Sequence, residues 1–121
     1  MTAYDNNNIF ARILRGEIPC DRVHDDKHTL AFRDIHPKAP VHILVIPKGA
    51  YTDIADFGAK AAPDEIAAFW RAVSKIAADE GLPANGFRVI ANTGLNGGQE
   101  VPHFHVHILG GKSLGPMLAK G

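Results

Sequence analysis

Three histidines, His103, His105 and His107, alternate with Phe104, Val106 and Ile108 in one stretch that runs on into Leu109-Gly110-Gly111. Strict alternation is the period of a β-strand, so the pattern predicts three imidazoles on one face and apolar side chains on the other. Neighbouring histidines on such a face stand roughly 6.5–7 Å apart at Cα, from a rise of about 3.3 Å per residue. Imidazole titrates near neutrality, and either ring nitrogen can attack, accept a proton or bind a metal. A row of three is a poor core and a good start for an active site.

The preceding residues supply a frame for that strand. Ile9, Phe10, Ile13 and Leu14 recur at helical spacing after Asn8, a good N-cap, and Pro19 ends the segment. Arg22 to Asp25 and Thr29 to Arg33 read as short strands around an Asp25-Asp26-Lys27 turn. Val41 to Ile46, interrupted only by His42, reads as a central strand buried on both faces. A loop is expected from Lys48 to Lys60. Pro63, Asp64 and Glu65 then open a long helix with a stripe of Ile66, Phe69, Trp70, Val73, Ile76 and Ala77, closed by Gly81. Phe69 and Trp70 are both expected in the core. Gly86 to Ala91 is another strand, a glycine-rich loop spans Asn92 to Gln99, and the tail 112–121 is expected to be irregular. Five strands and two helices, the strands mostly adjacent in sequence, predict an α+β domain with an antiparallel sheet, one domain over residues 1–121.

Composition narrows the class of function. Thirteen basic and thirteen acidic side chains give a formal net charge of zero, which argues against broad capture of nucleic acid or of an anionic membrane. Cys20 is the single cysteine, so neither an intrachain disulfide nor a paired-cysteine zinc site can form. The polar stretch Met1 to Asn8 lacks the layout of a secretory signal, and no apolar run approaches the ~20 residues that span a bilayer. The expectation is a soluble cytoplasmic protein.

Three chemistries compete for the histidine row. It can be a solvated sheet face without a task, although three in alternation after a glycine-rich loop weigh against that. It can hold a metal, since His-x-His pairs on strands are common ligands; no Asp or Glu follows His107 to complete the set. Or one imidazole attacks, best at phosphorus, while its neighbours supply protons and hydrogen bonds. The loop Gly94-Leu95-Asn96-Gly97-Gly98-Gln99 is either a hinge or a backbone able to approach an anion. His42 is either a buried histidine satisfied by a carbonyl or a partner for the row. Asp34 is either a turn residue or a grip on a ribose diol. His24, His28 and His36 lie in polar surroundings and are expected at the surface.

The stretch His103 to Leu109 resembles the His-φ-His-φ-His-φ-φ signature of the histidine triad superfamily, with φ apolar at every required place. The likeness extends over nearly the whole chain. Ile9 to Ile13 with Gly16-Glu17-Ile18-Pro19 resemble the family's first helix and exit turn, and Ala39 to Lys48 its central strand. Asn92, Gly97-Gly98-Gln99 and the closing Leu109-Gly110-Gly111 are similar to the Hint branch of nucleoside phosphoramidate hydrolases.

The resemblance implies a HIT-like fold, a homodimer whose sheets join into a ten-stranded one, and a site for purine nucleoside monophosphate conjugates, with no metal and no cofactor. By position, His105 would be the nucleophile that forms a nucleotidyl-histidine, and His103 would orient it through its backbone carbonyl to one ring nitrogen. His107 and Asn92 would contact phosphate oxygens, His107 helping to protonate the leaving amine, and His42 would complete the network. Asp34 would hold the ribose hydroxyls, with Ile9, Phe10, Ile13, Phe32, Ile35 and Leu44 around the base. Gly98, Gln99 and Val101 would make loop contacts near the phosphate. The alternative is a purine-nucleotide-binding regulatory or scaffold protein with little turnover. Two departures stand out: Glu100 occupies a place where many animal members have a small hydroxyl residue, and the tail lacks their Trp-Pro-Pro ending.

Overall fold

Asn8 begins the first helix, α1 (Ile9–Leu14), by accepting the Ala11 amide on its side chain at 2.9 Å. The computed structural model describes residues 3–119; Lys120 and Gly121, the end of the expected irregular tail, lie outside the described residues. After α1 come β1 (Arg22–Asp25) and β2 (Thr29–Arg33), both at the predicted positions, and then β3 (Val41–Pro47). Helices α2 (Ile54–Lys60) and α3 (Pro63–Asp79) follow, and a 3₁₀ turn at Leu82–Ala84 leads into β4 (Arg88–Ile90). A single helical turn, α4 (Gly94–Gly97), precedes β5 (Val106–Gly110).

The five strands form one antiparallel sheet in the order β1-β2-β3-β5-β4. Period-two alternation sorts their side chains onto two faces. Ala31, Ile43, Val45, Val106 and Ile108 face α3 and pack with Phe69, Ala72, Val73 and Ile76. Leu30, Phe32, Leu44 and Ile46 face the other way, onto Phe10 and Ile13 of α1. A helix of six residues is too short to cover that second face. The uncovered part is where β3 and β5 bring His42 and His107 together, in a register that pairs Leu44 with His107.

Four expectations change. The loop expected from Lys48 to Lys60 contains α2, capped by Asp53 through the Asp56 amide at 2.8 Å. Only Phe57 is buried in it, so it leaves no apolar stripe to read. With α4, this raises the α-helices among the described residues from the expected two to four. Trp70 is 42% exposed at the edge of α3, not in the core where Phe69 sits. The histidine strand begins only at Val106, so His103, in a bend, and His105 lie ahead of it. No helix among the described residues is long and apolar enough to cross a membrane.

Candidate active site

His103 is completely buried, and its ring is pinned at both ends. Nε2 lies 2.8 Å from the Pro47 carbonyl at the end of β3, and Nδ1 lies 2.5 Å from the Tyr4 hydroxyl. A carbonyl only accepts, so Nε2 carries the hydrogen, and Nδ1 accepts from Tyr4. Burial pushes the pKa of His103 down from 6.5 to about 4, which keeps the ring neutral and consistent with that assignment.

The same reasoning orients His105. Its Nδ1 lies 2.7 Å from the His103 main-chain carbonyl and therefore donates to it. Burial depresses the His105 pKa, against the opposing pull of that carbonyl, Glu100 and Asp34. A neutral His105 with its hydrogen on Nδ1 has its lone pair on Nε2. Phe10 packs edge-on against the ring at 4.9 Å and fixes its plane.

His42 and His107 form a second chain. The Lys38 backbone N–H donates to His42 Nδ1 at 3.0 Å, so the hydrogen of neutral His42 sits on Nε2. That Nε2 lies 2.9 Å from His107 Nδ1 and donates to it. His107 is left with its own hydrogen on Nε2. Burial, then His105 and His42, hold its pKa down to about 4. His42 is also depressed, chiefly by burial, with Asp34 opposing. Two neighbouring rings, centroids 5.1 Å apart, thus offer opposite functions: a lone pair on His105 Nε2 and a donor on His107 Nε2.

These rings line a cleft of about 510 Å³, a size suited to a small organic ligand. Phe10, Ile13, Phe32 and Leu44 make an apolar wall, and Ile9 and Ile35 stand at its mouth, the latter 81% exposed. Asp34, Asn92, Gly98, Val101, His42, His105 and His107 also reach the cleft. Two of the expected residues do not line it. His103 lies behind His105, and Gln99 ties its loop to the segment before α2, donating to the carbonyls of Thr52 (2.7 Å) and Val101 (3.0 Å). Asn92 likewise gives one amide hydrogen to the Gly97 carbonyl at 2.7 Å. Gly98, at φ +72°, caps α4 in the left-handed region that a side chain disfavours.

Sequence reasoning missed Tyr4, Lys38 and the Ile18-Pro19-Cys20 edge of the cleft, all placed by chain geometry without a local pattern. His24 and His28, expected at the surface, are half-buried beside Asp26 and Asp64, whereas His36 is exposed. The carboxylate that the strand lacked downstream comes from Asp34: its Oδ2 lies 3.5 Å from His42 Nε2. Among the described residues Asp34, His42 and His107 could hold a metal ion, their donor atoms lying within 4.8 Å of one another.

Comparison with known proteins agrees with this geometry. The profile of the HIT domain matches residues 15–114. The chain belongs to the histidine triad (HIT) family. It is 56% identical over 118 residues to a 13.2 kDa HIT-like protein of Azospirillum brasilense, covering 98% of this chain and 97% of that one. It is 47% identical over 111 residues to the purine nucleoside phosphoramidase of Escherichia coli, covering 92% of each. A solved HIT family hydrolase from Clostridium thermocellum superposes with a TM-score of 0.84 at 34% identity, over 93% of this chain and 97% of the other.

Proposed function

We propose that this HIT-family hydrolase cleaves purine nucleoside 5′-phosphoramidates through a nucleotidyl-histidine on His105. The observation that carries the reading is the tautomer lock: the His103 carbonyl holds the hydrogen on Nδ1 and leaves the Nε2 lone pair free. The E. coli relative's name supports the substrate class. The apolar wall of Phe10, Ile13, Phe32 and Leu44 suits a base, and Asp34 is the carboxylate for the ribose hydroxyls.

In the first displacement His105 Nε2 attacks the α-phosphorus and the P–N bond breaks, its electron pair staying on nitrogen. That nitrogen takes its proton from a water molecule beside it, while the His103 carbonyl stabilises the cationic phosphoryl-imidazole and the His107 Nε2–H assists by hydrogen bonding. The hydroxide left from that water then attacks phosphorus and expels His105 as the neutral imidazole, releasing the nucleoside monophosphate. His107 and loop amides near Gly98 stabilise charge on the non-bridging oxygens. No step uses a metal or cofactor. Mass spectrometry of enzyme quenched during turnover of an adenosine 5′-phosphoramidate tests the reading. A nucleotidyl adduct on His105 is expected, and His105→Ala should lose both adduct and turnover. Affinity for AMP with no turnover of any phosphoramidate would instead favour the binding-protein alternative.

We also infer that two copies pair through α3 and the free edge of β4. Trp70, Phe87 and Val89 are large apolar side chains left exposed there, and β4 has one unpaired edge. Sedimentation should give a dimer, and Trp70→Glu should shift it toward monomer.

A further inference from the structure

Tyr4 stands outside the elements of the fold, on the arm that precedes α1, yet its hydroxyl meets the most deeply buried histidine of the site. The arm is tied down. The Asp5 carbonyl accepts both the Asn8 amide at 3.2 Å and the Asn8 side chain at 2.8 Å, and Arg15 donates to the Asn6 carbonyl at 2.7 Å. Tyr4 also lies edge-on to the His103 ring, with centroids 5.6 Å apart.

We propose that Tyr4 is a positioning residue for the reaction, acting through His103 to hold His105 with its lone pair toward the cleft. This rests on the function proposed above. The chain of bonds runs from the Tyr4 O–H to His103 Nδ1, from His103 Nε2–H to the Pro47 carbonyl, and from His105 Nδ1–H to the His103 carbonyl. A neutral imidazole has one hydrogen and two places to put it. The Pro47 carbonyl selects Nε2, and Tyr4 removes the cost of the other choice by giving Nδ1 a donor. Burial raises the phenol's pKa, so Tyr4 stays a donor across neutral pH. Without it, His103 keeps a buried acceptor with no partner. The ring then gains by shifting toward another donor, and the main chain that bears the His103 carbonyl shifts with it, loosening the bond to His105.

Tyr4→Phe keeps the ring and removes only the hydroxyl. Two measurements on the full chain decide the matter. The ¹⁵N resonances of the His103 ring, read in wild type and Y4F, report which nitrogen carries the hydrogen and whether one tautomer dominates. Steady-state kinetics on an adenosine 5′-phosphoramidate report kcat and KM separately. The expected result is altered His103 ring resonances, kcat lower by about tenfold from a buried acceptor left without its donor, and KM essentially unchanged. Unaltered His103 resonances would overturn the proposal. So would altered resonances with wild-type kcat, or a kcat loss that disappears once corrected for the folded fraction. If wild type turned over no phosphoramidate, the functional reading would fail separately, because the ring resonances would still show whether Tyr4 sets the tautomer of His103.

Discussion

A site built from neutral buried histidines must lose stability in acid, in a pH window fixed by their pKa values. His103 and His107 both titrate near 4 in the folded protein, against 6.5 for an unhindered imidazole. Between these values the unfolded chain binds a proton at each position and the folded chain does not. Stability therefore rises with pH across the window, is fully present above 6.5 and is lost as the pH falls toward 4. From about pH 7 to about pH 5 each of the two contributes roughly 2 kcal/mol of loss, a large share of the 5–15 kcal/mol typical of a domain. The depressed carboxylates Asp25, Asp26 and Asp56 act lower, because the stability they add is complete above their unfolded value of 3.8. Their contribution is nearly flat over this range.

Urea denaturation at fixed protein concentration, repeated at half-unit steps over that range, measures the loss. The control is His107→Asn, which removes one titrating ring and should reduce the pH dependence by about 2 kcal/mol. His105 and His42 are depressed in the same direction, so the wild-type slope should be at least that of two histidines. Equal slopes in wild type and His107→Asn would refute the argument, since His107 would then not be held neutral by the fold. Activity should fall in acid, below 6.5, as His105 with its depressed pKa takes up a proton and its lone pair is lost.

His42→Ala should lower kcat by about ten- to a hundredfold, because His107 Nδ1 loses its buried donor and with it the reason to keep the hydrogen on Nε2. Initial rates on one phosphoramidate at saturating concentration check this. Phe104→Ala should cost about 3–5 kcal/mol, read from the urea midpoint. Its ring stacks on Phe57 at 4.9 Å and lies 5.0 Å from Phe69, in the core beneath the two histidines that flank it. Turnover should persist unchanged in excess chelator; a loss restored by zinc would mean that Asp34, His42 and His107 act as ligands.

The first two strands, the central strand, α1 with its cap and α3 were legible because each leaves a local mark: an N-cap, a period, a proline. Helix α2 leaves none, since Phe57 alone is buried. Trp70 shows the limit of a stripe, which tells which side of a helix is apolar but not where that side meets the next element. The closing Leu109-Gly110-Gly111 entered as a mark of resemblance and has a packing cause. A Cβ on Gly110 would lie 2.7 Å from Leu82, and Gly111, at φ +90°, runs against Pro40. The site's rings were legible, but the atoms that set their tautomers were not. Those atoms are a hydroxyl at Tyr4, a backbone amide at Lys38 and a carbonyl at Pro47, which no sequence pattern carries; the fourth, the His103 carbonyl, was expected through the family resemblance alone.

The alternation that pointed to a six-residue row of strand is obeyed only in part, and the exception has a chemical consequence. Had the strand begun at His103, the carbonyl of His103 would belong to the ladder and be directed at a neighbouring strand. It would not be free to face the ring two residues ahead. Because β5 begins at Val106, the Phe104 amide goes to the Tyr51 carbonyl at 2.7 Å, and the His103 carbonyl is left for His105 Nδ1. His103 and His105 nevertheless both remain beside Phe10 while the ladder is absent. The free lone pair on His105 Nε2 therefore depends on where pairing starts. A substitution that extended β5 back to His103 would leave three histidines on one face and take away the bond that holds the hydrogen of His105 on Nδ1.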